Sequence, residues 1–334
     1  MQTKLLILFN ELGYGGVETK IIDIVNYLHK NYPKVQITLC LRKKKGHLLK
    51  KIPKDITILS PNVNKNYLDI LRLFIFFCQK LKQIQPDIIL TFVNTTSTIA
   101  SLAKTVTHSK NCRHIISEDI NTKNYIKSKK HPFIHKLSIK TCYPFAHKIL
   151  VLNQSNQKFL TKFLGKKNQA KITLTPNWLP IPYQHLKIKT KKRNIDILNL
   201  GRLCQQKNIP KFFNITKATD FKASFVSSTP NPQNFYKQSK ILLITSKFEG
   251  FPLTILEAIS CGCLPIVNNL PEFSDFFKKY KNFIVYRNNQ DAIEKITYLI
   301  HNHSTRQKIL KFYQNKIFSE QIPLIKKTIH EIIT

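Results

Sequence analysis

Seven residues separate Glu249 from Glu257, and Gly250 and Pro252 stand between them. The stretch Ser246-Lys247-Phe248-Glu249-Gly250-Phe251-Pro252-Leu253-Thr254-Ile255-Leu256-Glu257-Ala258 follows an aliphatic run, Ile241-Leu242-Leu243-Ile244. That run is short and apolar enough to be a buried strand. Pro252 sits where a helix would begin, and Gly250 lets backbone approach a ligand closely. A strand feeding a helix through such a loop leaves unpaired N–H groups at the helix start. With the helix dipole they form an anion site suited to phosphate. Phe251, Leu253 and Thr254 can donate there; Pro252 cannot. The flanking carboxylates would accept hydrogen bonds from sugar hydroxyls, so the pattern suits a sugar nucleotide. The plainer alternative is that both acids offset the positive helix end, worth only ~0.3–1 kcal/mol each. Spacing alone leaves both readings open.

Two further groups could do chemistry. Leu198-Asn199-Leu200-Gly201-Arg202-Leu203 ends a strand-like run, and Lys207 follows Arg202 by five residues. Arg offers a planar fork for phosphate and Lys a mobile point charge, so the pair could neutralise a leaving diphosphate. In so basic a chain the same spacing also arises by coincidence. Near the N-terminus, Asn10-Glu11-Leu12-Gly13-Tyr14-Gly15-Gly16-Val17-Glu18 follows another apolar run. Gly15 and Gly16 would leave room for a diphosphate or an acceptor, or form a tight turn and nothing more.

Taken in order, these three stretches resemble family 4 of the retaining glycosyltransferases. Glu249 to Leu253 with Glu257-Ala258 looks like its E-x7-E signature, the Asn10–Glu18 stretch like its first glycine loop, and Gly201-Arg202-Leu203 with Lys207 like its phosphate clamp. The resemblance implies the GT-B fold, an α/β architecture of two doubly wound Rossmann-like domains facing a cleft. It implies transfer from a nucleotide sugar, here UDP-linked, to a cell-envelope glycan or lipid-linked acceptor. By resemblance, Glu257 holds the ribose hydroxyls and Glu249 the donor sugar. Arg202, Lys207 and the helix amides stabilise the departing diphosphate, and no metal or other cofactor is expected. Members of the family are thought to use same-face attack, so Glu249 is not assigned as a nucleophile. Where the family often carries a histidine near the reacting sugar, this chain has Ser117-Glu118-Asp119, and Glu118 is the candidate for contacting acceptor or sugar.

The elements that would position these residues alternate between strand and helix patterns, as an α/β fold requires. Expected strands are Lys4 to Phe9, Val35 to Leu41, Ile56 to Leu59, Asp87 to Phe92, His114 to Ile116, Ile149 to Leu152 and Ile172 to Thr175. Expected helices run from Val17 to Lys30 and Tyr67 to Ile84. Asn94-Thr95-Thr96-Ser97 would cap a helix through Lys104 or face a ligand at a strand's carboxyl end. Arg42-Lys43-Lys44-Lys45 reads as a solvated loop. Residues 121–148 hold Tyr125, Lys127, Lys129, Lys130, Phe133, Lys136, Tyr143 and Phe145. They would form an ordinary helix pair with exposed lysines or an amphipathic surface for a lipid-linked acceptor.

The first domain is expected at 1–181, with Pro176-Asn177-Trp178-Leu179-Pro180 resembling the family's segment before the hinge. A basic linker at 182–194 follows. The second domain is expected at 195–320, with strands at Ile195 to Leu200, Ala223 to Val226, Leu264 to Val267 and Phe283 to Tyr286. Helices are expected from Pro210, around Phe235-Tyr236, and at Leu253 to Ile259, Glu272 to Phe277, Asp291 to Ile300 and Arg306 to Phe318. A last helix, Ile322 to Ile333 within 321–334, would pack back on the first domain. Against the family pattern the second domain is short by about one βα unit before Glu249, so part of the base pocket is reduced or rebuilt.

Composition sets the outer bounds. At 334 residues, 42% of them hydrophobic, the chain can build two substantial cores. The net charge is +36, and only seven of the 54 basic residues are Arg. Such a charge attracts an anionic membrane, a phosphorylated acceptor or nucleic acid nonspecifically. Lysine without arginine and aromatic motifs argues against specific nucleic-acid readout. The seven cysteines contain no C-x-x-C pair, and Cys261 and Cys263 have no partner pair suited to a metal, so they read as buried thiols in a reducing compartment. The runs at Leu5–Phe9 and Leu73–Phe77 are too short to span a bilayer, so a cytoplasmic protein peripheral to the membrane is expected. Two rivals stay open: a non-catalytic GT-B scaffold binding a partner or glycan, and a basic protein acting on nucleic acid or acidic lipid.

Overall fold

The computed structural model describes residues 2–64, 66–183, 193–227 and 229–334. The interior of the expected linker at 182–194 lies outside the described residues. The chain divides into two compact units, one built from residues up to 176 together with 325–334, the other from residues 177–324.

In the first unit β1 (Thr3–Phe9) leads through the glycine loop into α1 (Gly16–Asn31), followed by β2 (Val35–Leu41), β3 (Thr57–Leu59) and α2 (Tyr67–Ile84). Then come β4 (Ile88–Phe92), α3 (Asn94–Val106), β5 (Arg113–Glu118), α4 (Thr122–Lys127), α5 (Pro132–Cys142), β6 (Lys148–Val151), α6 (Gln154–Leu164) and β7 (Ile172–Leu174). The seven strands pair in parallel in the order β3-β2-β1-β4-β5-β6-β7. Helices cover both faces of such a sheet, so the strands read as unbroken apolar runs, as Leu5 to Phe9 and Ile88 to Leu90 do. α2 starts where Asn66 caps it, its side chain accepting from the Asp69 amide at 2.8 Å. Its Leu73, Phe77 and Leu81 pack with Leu6, Leu8, Ala100 and Ala103.

In the second unit β8 (Ile195–Leu200), α7 (Ile209–Thr216), β9 (Ala223–Val226), α8 (Pro232–Gln238) and β10 (Ser239–Ile244) precede α9 (Leu253–Ser260). β11 (Leu264–Asn268), α10 (Lys281–Ile284), β12 (Val285–Tyr286), α11 (Asn289–His301) and α12 (His303–Ile333) complete the chain. Its sheet is parallel, in the order β12-β11-β10-β8-β9. Connections leave β8 and β10 in opposite directions, so those two neighbours form the switch point where open α/β sheets expose a crevice at their carboxyl ends. Between β8 and β10 the described residues form a single strand, β9, at the sheet edge.

Several local expectations are corrected. The helix expected at Glu272 to Phe277 is only a 3₁₀ turn, Pro271–Phe273, and the strand expected from Phe283 begins at Val285. The two terminal helices are one, α12, with Pro323 inside it. Proline removes one helical hydrogen bond, yet Gln321 anchors that turn by accepting from the Leu179 amide and donating to its carbonyl, both at 2.6 Å. Residues 325–334 group with the first unit, where Lys148 pairs with Glu331 at 2.9 Å and Arg113 donates to the Ile333 carbonyl at 2.7 Å. Arg42 is not part of a solvated run. It is buried, donates to the Val63 carbonyl at 2.7 Å and faces Glu11 at 3.7 Å.

Candidate functional site

In the second unit the switch point gathers most of the residues singled out in the sequence. β8 ends at Gly201-Arg202, and a 3₁₀ turn, Gln205–Lys207, carries the chain toward β10. There Lys207 Nζ lies 2.7 Å from Glu249 Oε1, with side chains only 16% and 7% exposed. Gln206 completes the clasp. Its Nε2 donates to the Phe248 carbonyl at 2.9 Å and to Glu249 Oε2 at 3.3 Å, while its own carbonyl accepts from the Lys247 amide at 2.8 Å. From below, Thr245 Oγ1 donates to the Lys207 carbonyl at 3.0 Å, and Asn199 Nδ2 donates to the Leu243 carbonyl at 2.8 Å. Gly201 is needed for close approach, because a Cβ there would lie 3.3 Å from Lys207 Cε. A lysine and a glutamate held this far from water attract strongly, and removing either leaves a buried uncompensated charge.

The helix end lies just beyond. Pro252 is the N-cap residue of α9, with extended backbone. Asn177 Nδ2 donates to the preceding Phe251 carbonyl at 2.7 Å and fixes the loop. Gly250 and Leu253 are buried, and the Phe251 ring packs at 5.0 Å from Phe276 and 6.2 Å from Phe273. Thr254 Oγ1 is buried and has no hydrogen-bond partner among the described residues. With the first-turn amides of α9 it is a donor facing a positive helix end. One turn on, buried Glu257 accepts from Tyr236 Oη at 3.0 Å. Burial and the nearby carboxylate hold the Tyr236 hydroxyl well above its ordinary pKa, so it stays a donor. Arg202 is exposed at the end of β8.

The first unit holds a separate group at the carboxyl ends of β4 and β5. Gly16 opens α1, and the Glu18 carboxylate occupies the space a Cβ on Gly15 would take. The room expected at this turn is therefore filled by an acid suited to that helix end. Glu118 is also corrected. It is 1% exposed and accepts from Tyr143 Oη at 2.5 Å, so its carboxylate points into the core rather than toward a ligand. Burial pushes its pKa up to about 7, against the opposing effect of the Tyr143 hydrogen bond. The neighbouring Asp119 forms a buried pair with Lys20 at 2.6 Å. The expected cap at Asn94–Ser97 is replaced. Val93 is the N-cap with φ 63°, a strained value for a β-branched residue, and the hydroxyls of Thr96 and Ser97 donate to preceding carbonyls instead.

Sequence reading thus missed Gln206, Tyr236 and Lys20. Gln206 sits beside a flagged lysine. Lys20 stands next to the apolar pair Ile21-Ile22 of a helix, the one signal that it would be drawn inward.

Residues 214–315 match the family model of glycosyl transferases, group 1. The chain is 27% identical over 136 residues to the O-antigen biosynthesis glycosyltransferase WclY of Escherichia coli, covering 40% of this chain. That alignment spans only 38% of WclY. It is 21% identical over 288 residues to the amylovoran biosynthesis glycosyltransferase AmsD of Erwinia amylovora, covering 76% of this chain and 78% of AmsD. Among solved structures it superposes on HepE of Anabaena in complex with UDP and glucose with a TM-score of 0.77 at 14% identity, over 98% of this chain and 99% of HepE. On the lipopolysaccharide outer core galactosyltransferase WaaB the TM-score is 0.64 at 18% identity, over 98% and 99% of the two chains. The fold is therefore GT-B, and the second unit carries at residues 214–315 a match to the group 1 glycosyl transferases.

Proposed function

We propose that the protein is a glycosyltransferase of the family 4 type, which moves a sugar with retention from a UDP-sugar to a cell-envelope glycan or lipid-linked acceptor. The observation that carries this reading is the Lys207–Glu249 clasp at the switch point, beside the start of α9. Cation, carboxylate and helix amides converge there as a donor diphosphate and its sugar require. The names of WclY and AmsD, both polysaccharide-building transferases, and the UDP and glucose held by HepE agree with it.

In this reading the diphosphate lies against the first-turn amides of α9 and Thr254 Oγ1, within reach of Arg202. Lys207 turns part of its charge from Glu249 to the diphosphate as negative charge grows on the leaving oxygen. Glu249, still held by Gln206, accepts from the sugar hydroxyls. Glu257, oriented by Tyr236, takes the ribose. These cations supply the charge that a metal would otherwise bring. The second domain is short by one βα unit, which leaves β9 and α8 to form the base pocket. The acceptor binds the first unit, with transfer on the cytoplasmic side of a membrane. No helix among the described residues is long and apolar enough to cross one.

A calorimetric titration of UDP and then GDP tests the donor site. UDP should bind saturably, with or without a chelator, and Arg202→Ala should weaken binding. Lys207→Ala should lower transfer by on the order of a hundredfold, the usual cost of losing one group that stabilises developing charge. Folded protein that binds neither nucleotide would leave the non-catalytic scaffold, a reading that the shortened donor domain favours.

A further inference from the structure

The outer face of the helices over one side of the first sheet is apolar where water should be. α2 packs beside α3, and α3 beside α5. Each turns large aliphatic or aromatic side chains outward: Leu68 and Leu71 on α2, Leu102 and Val106 on α3, Phe133 and Leu137 on α5. Phe133 is 73% exposed, Leu68 70% and Val106 60%. Among the described residues, ten of the fifteen exposed large hydrophobics belong to these helices and the turn after α5. On α5 the inward face holds only Ile139 and Cys142, so this helix is more apolar outside than in. Scattered exposed leucines need no explanation, but a face shared by three adjacent helices does.

The charge around this face has one sign. Lys130, Lys136 and Lys140 are exposed around α5, and Arg72 is exposed on α2. Asp69, the single acid within α2, α3 and α5, is buried, accepting from the Asn64 amide at 2.9 Å and pairing with Arg72. No acidic residue occurs from 120 to 195.

We propose that the exposed face of α2, α3 and α5 is a docking surface for an anionic lipid bilayer, with Phe133, Leu137 and Leu68 entering the headgroup boundary and the surrounding lysines pairing with lipid phosphates. Binding of this kind grows with apolar area and with attraction to anionic lipid. Charge decides between this occupant and a second copy of the chain. Two copies apposed here would bring lysine rims together on molecules of net charge +36, whereas an acidic leaflet complements both the rim and the apolar centre. The surface stands on exposure and charge. It survives a failure of nucleotide binding, and its own failure leaves the transferase reading intact.

Co-sedimentation of the full chain with vesicles tests it. Vesicles of phosphatidylglycerol and phosphatidylcholine in equal parts should carry the protein down at moderate salt. Phosphatidylcholine alone should bind at least about tenfold more weakly, since each lysine near an anionic surface contributes roughly fivefold. The variant Phe133→Ser/Ile134→Ser/Leu137→Ser changes only exposed positions, so its unfolding midpoint should stay near wild type. It should lose about tenfold or more in vesicle binding, while Ile322→Ser, an equally exposed change in the second unit, should not. Wild-type protein that ignores both vesicles would overturn the proposal. So would equal vesicle binding by the triple variant, which would reduce the effect to bulk charge. A concentration-dependent dimer in sedimentation velocity that the triple variant abolishes, without vesicle binding, would assign the face to a second copy instead.

Discussion

Glu118 shows how little a residue's type says about its use. Its place at the end of β5 invites a ligand role, yet the side chain turns under Tyr143 and is 1% exposed. Its pH behaviour follows from that burial. The folded-state pKa, pushed to about 7 from 4.5, means the native protein binds a proton that the unfolded chain releases. Stability held at low pH is therefore lost as pH rises from about 4.5 through about 7. Glu118→Gln should remove this dependence, so denaturant unfolding of wild type and variant should diverge across that window, wild type losing stability with rising pH. Parallel curves would show that the carboxyl is ionised in the fold. Lys207 and Glu249 differ in kind. Their pairing is legible in neither residue alone, because 42 positions separate them and only the adjacency of β8 and β10 brings them to hydrogen-bond distance.

At the scale of elements, loops are held where strands end, and a few backbone positions decide the geometry. Gly46 has φ 126°, and a Cβ there would fall on the Leu12 carbonyl. Around it the Leu12 amide donates to the Lys45 carbonyl at 3.0 Å and the Leu48 amide to the Leu12 carbonyl at 3.1 Å. The glycine loop before α1 is thus braced by the loop after β2. Gly46→Ala should destabilise the first unit by ~1–3 kcal/mol, the scale of a strained non-glycine conformation. Chemical denaturation measures it, and an unchanged midpoint would mean the loops part without cost. The sequence marked Gly15 and Gly16 and passed over Gly46, since a glycine after a lysine run looks like any surface turn. Strands and long helices were legible because buried parallel strands must be apolar throughout and amphipathic helices repeat every three to four residues. Short pieces such as the turn at Pro271–Phe273 were not, because so few residues carry no period.

For the whole molecule the dominant physical fact is a net charge of +36 on 334 residues. Charge of one sign destabilises a compact state through self-repulsion, and salt screens it over about 10 Å at 0.1 M. The unfolding temperature should therefore rise from low to moderate salt, measured by calorimetry. A flat or falling temperature would show that local ion pairs such as Lys148–Glu331 and Lys240–Asp196 outweigh the global repulsion.

By itself the sequence determined the alternation of strand and helix, hence the two parallel sheets, and the segment at Glu249 to Glu257 as a strand–loop–helix with an anion-binding start. These are local matters, set by apolar runs, by glycine and proline at turns, and by helical period. The tertiary structure alone decided that Lys207 and Gln206 clasp Glu249, that Tyr236 holds Glu257, that Glu118 faces inward, and that three helices share an apolar outer face. Each of these depends on which strands become neighbours and which side of a helix meets the sheet. Parallel pairing joins residues far apart in the chain, and no local pattern encodes that choice.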